Sequence, residues 1–345
     1  MRKALSVALL LALAVAVGLL GKAQVPQLVV YTYDSFAAWG PAAFIEEEFE
    51  RTHNVDVVFI ATADSRAMLA KLLAEREAGS QGCDVFIGVE AADLARVKRE
   101  GLFLPLAREE LPWLRAVPQE LLVDPELAAI PYEHGYITFV YDSQALATEE
   151  VPRTFEELLD PRYRRMLILE DPRTSSPGLS FLLWTIHQFG EPGYLDYWRA
   201  LSPNILTIAG GWSEAYDLFL AGEGPIVLSF STDTAYSVIE TGSARYKVML
   251  LNNQGYRNIY LMGIVRGTAQ AGLAKEFLDF ILSPAVQEKI PTTEWMFPAN
   301  REALLPVEFY QYAVVPPWPV MLSPEEVGRN LDRWLREWSG IIAGG

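Results

Sequence analysis

Short apolar runs alternate with amphipathic stretches through the first third of the chain, and polar turns close the runs. Leu28-Val29-Val30-Tyr31-Thr32-Tyr33 reads as a buried strand ended by Asp34-Ser35. A helix is expected over 41–51, where Ala43, Phe44 and Phe49 recur among glutamates, followed by a second strand over 55–60. Asp64 or Ser65 can cap the next helix, which carries Met68, Leu69, Leu72 and Leu73 on one face. Asp84-Val85-Phe86-Ile87 reads as a third strand, and 91–99 as a helix stopped by Gly101. Such alternation predicts an α/β fold whose mostly parallel sheet is covered on both faces.

A second unit starts in the middle of the chain. Residues 136–141 read as extended, Thr154 with Glu157 has the spacing of a capping box, and 166–169 is another buried strand. A helix carrying Phe181, Leu182, Trp184 and Ile186 follows Pro177-Gly178. Residues 226–230 and 260–265 are strand-like, with a polar connection over 252–255. Ser283-Pro284 and Ser323-Pro324 mark helix starts, since proline in the first turn loses no hydrogen bond. Leu331, Trp334, Leu335 and Trp338 give the last helix an apolar stripe that core packing explains. Without a long linker, two lobes must be joined by short crossings. Ligands of open α/β folds sit beyond the carboxyl ends of strands, and the loops at 34–35, 62–65 and 171–177 are polar as that geometry requires.

Charge removes one class of partner. The 345 residues carry 28 Lys plus Arg against 44 Asp plus Glu, a formal charge of -16, which opposes binding to nucleic acid. Residues 1–23 have the layout of a secretory signal: Arg2 and Lys3, an apolar run from Ala4 to Leu20, then Gly21-Lys22-Ala23. Its removal takes away Arg2, Lys3 and Lys22 and shifts the balance from 28 against 44 to 25 against 44, or -19. The single cysteine, Cys83, allows no internal disulfide. His53, His134 and His187 have no metal-binding spacing, and phosphate-loop, dinucleotide and nucleophile-elbow patterns are missing, so no metal is expected and no catalytic residue is singled out. A serine or carboxylate enzyme, whose residues meet in space and not in sequence order, stays open. The 9 Trp, 15 Tyr and 16 Phe are mostly core, yet several stand beside polar turns, and aromatic faces with carboxylates suit a flat cation.

Five motifs carry a resemblance: Tyr31-Thr32-Tyr33-Asp34-Ser35-Phe36-Ala37-Ala38 with Trp39-Gly40-Pro41; Phe139-Val140-Tyr141-Asp142; Asp171-Pro172-Arg173-Thr174-Ser175-Ser176-Pro177-Gly178; Gly211-Trp212-Ser213-Glu214-Ala215-Tyr216; and Ile290-Pro291-Thr292-Thr293 with Trp295-Met296. In this order and spacing the chain resembles the secreted thiamine-binding proteins of bacterial ABC importers. The resemblance implies a two-lobed periplasmic binding-protein fold of type II, with mixed, mostly parallel central sheets and flanking helices. It also implies a monomer that closes on thiamine, or its phosphates, and delivers it to ABC permease membrane subunits without chemical turnover or cofactor. The lobes are expected at 24–137 plus 250–300 and at 138–249 plus 301–345. Ligand-contact positions carried over by the resemblance are Asp64, Ser65, Ser175, Ser176, Trp212, Phe230, Ser231, Thr232 and Asp233, with Tyr33, Tyr236 and Trp295 packing against the rings.

Chemistry gives these positions separate expected roles. Tyr236 and Trp295 flank the ligand rings, Asp64 balances the positive charge, and Ser175, Ser176, Ser231, Thr232 and the Trp212 indole N–H donate to the tail. Phe230 stands where the family has tyrosine, and Asp233 where it has a small hydroxyl residue. A carboxylate there opposes phosphate, so unphosphorylated thiamine is the expected preference. Ferric iron on the same architecture and an enzyme acting on a thiamine-like compound remain the alternatives.

Overall fold

The computed structural model describes residues 25–62 and 65–344. The expected signal segment 1–23 and Asp64 lie outside the described residues. Eleven strands join by hydrogen bonding into one sheet: β1 (Gln27–Tyr33), β2 (Asp56–Thr62), β3 (Val85–Glu90), β4 (Ile130–Asp142), β5 (Leu167–Glu170), β6 (Ile205–Ala209), β7 (Ile226–Phe230), β8 (Tyr246–Met249), β9 (Gln254–Ile264), β10 (Phe297–Pro298) and β11 (Trp318–Val320). Their main order is β2-β1-β3-β9-β4-β7-β5-β6, with β8 and β10 on β4 and β11 on β9. Pairing is parallel in both flanks, where helices make the crossovers, and antiparallel in the centre, where β4 pairs β9 and β7.

β4 and β9 hold the molecule together. β4 runs thirteen residues with every one but His134 buried. Its first half pairs β9 from Ile130↔Met262 to Ile137↔Tyr256, and its second half pairs β7 from Ile137↔Phe230 to Tyr141↔Ile226. The sequence pattern shows only the second half, since Pro131 and Glu133 interrupt the apolar run that precedes it. Two large apolar cores flank this centre. One gathers Leu28 through Tyr132 together with Ile259 through Ala299. The other gathers Ile137 through Leu251 with Tyr256, Leu322, Trp334 and Trp338.

Local rules explain most elements. The helix Ser176–Phe189 begins at Ser175, whose hydroxyl accepts from the Gly178 N–H at 3.4 Å, and it is buried from Ser176 to Ile186 because it lies inside the second core. Gly178 is required there: a Cβ would sit 2.4 Å from the Glu170 carbonyl oxygen. The helix Pro324–Gly344 starts at Ser323, which caps the Glu326 N–H at 3.2 Å, and buries Trp334 and Trp338 in the second core. Three expectations change in detail. Asp34-Ser35 opens a short helix, Asp34–Ala38, instead of a loop. The Thr154/Glu157 pattern caps a single 3-10 turn in which Glu157 accepts from the Arg153 N–H. Ser283-Pro284 starts a helix of only four residues, Pro284–Gln287.

Candidate functional site

A cavity of about 520 Å³ opens where the carboxyl ends of β1, β5 and β7 face one another across the centre of the sheet. Among the described lining residues five are acidic, Asp34, Glu133, Glu214, Asp233 and Glu294, and none is Lys, Arg or His. Eight of the twelve site residues expected from the sequence line it: Tyr33, Ser175, Ser176, Trp212, Phe230, Asp233, Tyr236 and Trp295. Ser65 is described only as the first residue of the helix Ser65–Glu77. Ser231 and Thr232 do not line the cavity; both are buried where the chain leaves β7, and the Ser231 N–H donates to the Tyr136 carbonyl.

The wall contributed by the first core is acidic. β1 ends at Tyr33, whose hydroxyl lies 2.9 Å from the Tyr132 hydroxyl, 3.0 Å from Glu133 Oε1 and 3.0 Å from Glu294 Oε2. Glu133 is 1% exposed, and its Oε2, like Oε1 of Glu294, has no hydrogen-bond partner among the described residues. Glu294 fits because residue 40 is glycine: a Cβ there would stand 2.1 Å from Glu294 Oε1. Burial pushes the Glu133 carboxyl well above the usual carboxylate range, and the neighbouring Glu294 pushes it further. Burial likewise lifts Glu294 to about 7. The phenols of Tyr33 and Tyr132 are raised well above 10 by burial and by these carboxyls, so both keep their protons.

The opposite wall is aromatic. Trp212 stacks on Tyr216 at 4.8 Å, Tyr216 meets the edge of Tyr236 at 5.9 Å, and Tyr236 meets Trp295 at 4.6 Å and 74°. Trp295 follows the helix Ile290–Thr293 in the left-handed region, φ 57°, an uncommon conformation for a bulky residue that marks the turn into β10. Tyr236 and Trp295 touch each other edge to face. A ring held between them would need two contact layers of about 3.5 Å, so they form one corner of the cavity and not two flanking plates.

Some polar groups of this wall already have protein partners and others do not. The Trp212 Nε1–H donates to Ser229 Oγ at 2.8 Å, where a ligand tail was the expected acceptor. Burial raises the Asp233 carboxyl to about 7, against the lowering influence of Ser229 and the Phe230 backbone, and its Oδ2 has no hydrogen-bond partner among the described residues. Glu170, fully buried behind it, is raised well above its ordinary value by burial and by Asp233. Ser175 caps its helix, while Ser176 Oγ bonds the Tyr260 hydroxyl at 2.8 Å and accepts from Asn258 Nδ2 at 3.0 Å.

Glu133, Glu294 and Tyr260 were not among the residues expected from the sequence. The available signal was a lone carboxylate in the apolar stretch around Glu133 and the position of Glu294 beside Trp295. Among the described residues no group of three or more His, Cys, Asp or Glu side chains is placed to hold a metal ion, and no helix is long and apolar enough to cross a membrane.

Comparison with known proteins extends over most of the chain. Residues 80–323 match the family described as bacterial extracellular solute-binding protein. The chain is 35% identical over 325 residues to a thiamine-binding periplasmic protein of Brucella abortus, covering 93% of this chain and 94% of the relative. It is 33% identical over 321 residues to the thiamine-binding periplasmic protein of Escherichia coli K12, with 92% and 94% covered. Among solved structures, a periplasmic thiamin binding protein superposes with a TM-score of 0.82 at 32% identity, covering 93% of this chain and 98% of that one. A ferric binding protein from Campylobacter jejuni shares the fold, with a TM-score of 0.76 at 16% identity.

Proposed function

The chain belongs to the bacterial extracellular solute-binding proteins, and within that family we propose that it captures thiamine in the cavity between its two cores. Members are non-catalytic periplasmic components of transport that act with the membrane subunits of an ABC permease, so the enzyme alternative falls away. The observation that carries the thiamine reading is the lining itself: five acidic side chains together with a cluster of aromatic rings, and no basic side chain among the described lining residues. A flat cationic heterocycle satisfies both walls, through charge on one side and ring contact on the other. Tyr33, Glu133 and Glu294 face the positive charge, while Trp212, Phe230, Tyr236 and Trp295 supply apolar contact. Ser175, Ser176 and Asp233 border the polar end, and Asp64 and Ser65 are kept as ligand contacts on the resemblance alone.

Ferric iron is the weaker reading, because no group of three or more His, Cys, Asp or Glu among the described residues is placed to hold a metal ion, whereas the relative 35% identical over 325 residues is named for thiamine. Phosphorylated ligands meet opposing effects. The helix starts at Ser176 and Trp212 favour an anion by roughly 0.3–1 kcal/mol each. One ionised carboxylate 5 Å from a phosphate charge costs about 3 kcal/mol at an effective dielectric of 20. With five acidic residues and no basic one among the described lining residues, thiamine is expected to bind more tightly than its diphosphate. Residues 1–23 act as the cleaved export signal in this reading, and the lobes divide within β4 and β9, where the core assignments change between Tyr132 and Ile137 and between Tyr256 and Ile259.

The test is calorimetric titration of refolded, ligand-stripped protein with thiamine and with thiamine diphosphate. One thiamine bound per chain, with the diphosphate about tenfold weaker, is the expected result. Absence of thiamine binding would overturn the reading, and tighter binding of the diphosphate would overturn the stated preference.

A further inference from the structure

We propose that Glu133 and Glu294, clasped on the Tyr33 hydroxyl, act as a single proton-sharing unit that holds a proton in the empty cavity and surrenders it to solvent when a cationic ligand enters. The inference rests on the thiamine reading for its ligand, and on hydrogen-bond counting for its chemistry. The Tyr33 hydroxyl has one proton to donate and three oxygens within 3.0 Å: the Tyr132 hydroxyl, Glu133 Oε1 and Glu294 Oε2. It cannot donate to both carboxylates. If the Tyr132 hydroxyl donates to it and one carboxyl brings its own proton, Tyr33 accepts two bonds and donates the third, and every close contact becomes a hydrogen bond. With both carboxyls ionised, one carboxylate oxygen faces the phenol oxygen with no proton between them. With both protonated, each neutral carboxyl keeps a carbonyl oxygen that can accept the phenol proton, so that state also fills every contact. The observed distances therefore require at least one proton on the carboxyl pair.

The surroundings keep that proton in place. The titratable groups facing the pair are Tyr33 on β1 with Asp34 after it, Tyr132 on β4, Tyr260 on β9 and, across the cavity, Asp233. All are neutral or acidic. Neither Glu133 nor Glu294 forms an ion pair with Lys, Arg or His among the described residues. Burial raises the proton affinity of both carboxyls in the empty cavity. A ligand cation supplies the missing counter-charge, so the doubly ionised pair becomes the stable one. Glu133 Oε2 and Glu294 Oε1 are buried without a hydrogen-bond partner, so a second ionised charge on the pair lacks compensation among the described residues until the cation enters. The pair therefore selects for charge: an uncharged ring of the same outline leaves the proton where it is and gains only the aromatic contacts.

Two measurements test this. Thiamine is titrated into the ligand-stripped protein at pH 7 in two buffers of different ionisation enthalpy, which reads protons released on binding. The wild type is expected to release roughly half to one proton per thiamine, and its Kd to weaken up to about tenfold per pH unit on going down from pH 7. Glu294→Gln and, separately, Glu133→Gln are each expected to cut that release at least twofold. Binding heat identical in both buffers would overturn the proposal on the wild type alone, as would release undiminished in both variants. Potentiometric titration of the ligand-free wild type against Glu294→Gln supplies an arm that needs no ligand: the wild type should take up additional protons between pH 8 and 6, and superimposable curves would overturn the shared proton. Absence of heat with thiamine in either buffer would remove the thiamine reading and the displacement step, while the potentiometric arm still decides whether the pair holds its proton.

Discussion

The two walls of the cavity use their polar groups in different ways. On the aromatic wall the indole N–H of Trp212 donates to the Ser229 hydroxyl, which fixes the ring, while Asp233 keeps one buried oxygen without a partner. On the acidic wall two carboxyls converge on a single phenol and each keeps an unpartnered oxygen. One wall has its ring positions set before a ligand arrives. The other is electrostatically incomplete until a counter-charge enters. A ligand must then satisfy shape on one side and charge on the other, which is how a binding protein built on two cores can require contact with both before its closed form is favoured.

Removing one wall at a time separates these contributions. Trp295→Ala takes away the ring at the corner with Tyr236 and is expected to weaken thiamine by about 2 to 3 kcal/mol, roughly 30- to 150-fold, measured by calorimetry. A change below threefold would move ring recognition elsewhere. Next in size is pH-dependent stability of the empty protein. Glu133, Glu294 and Asp233 all have folded-state proton affinities above their unfolded ones, so the folded state binds more protons than the unfolded chain. Their contribution is fully present below the unfolded carboxylate range and is lost as pH rises through about 7, the value reached by Glu294 and Asp233. The melting temperature of ligand-free protein should fall between pH 5.5 and 8, by about 1 to 3 kcal/mol in stability terms, and Glu294→Gln should flatten the slope. A melting temperature that rises across this interval would contradict burial of the acidic groups.

The smallest expected effect belongs to Trp212→Phe. It keeps a ring beside Tyr216 but removes the donor to Ser229, at a cost of about 1 kcal/mol in stability, read by denaturant unfolding. Thiamine affinity should change less than threefold, because the lost N–H already has a protein partner. A tenfold loss of affinity would show that the indole leaves Ser229 for the ligand.

Sequence patterning resolved the flanks of this fold better than its centre. β7 lies at the expected 226–230, and the helix from Pro324 begins at its Ser-Pro signal, because each buries a simple apolar pattern against one neighbour. β4 was legible only from Tyr136 onwards. A strand buried on both faces that also carries Pro131 and Glu133 violates the rules by which strands are read, and Glu133 breaks the pattern because it belongs to the cavity. The site shows the same division. Trp212, Tyr236 and Trp295 came with the resemblance and do line the cavity. Their mutual contact and the Trp212 bond to Ser229 join segments far apart in the chain, which no local spacing encodes. The pairing of Glu133 with Glu294 spans 161 positions by their numbers and depends on Gly40 leaving room for a carboxyl.

The decisive measurement is a crystal structure of the protein with thiamine. Thiamine is expected in the cavity with its positive ring within about 4 Å of the Glu133 or Glu294 carboxyl, a distance at which one charge pair contributes several kcal/mol at an effective dielectric of 20, and with ring contact on the Trp212–Trp295 side. Thiamine bound outside this cavity, or inside it with its charged ring turned away from both glutamates, would contradict a division of charge and shape between the two walls.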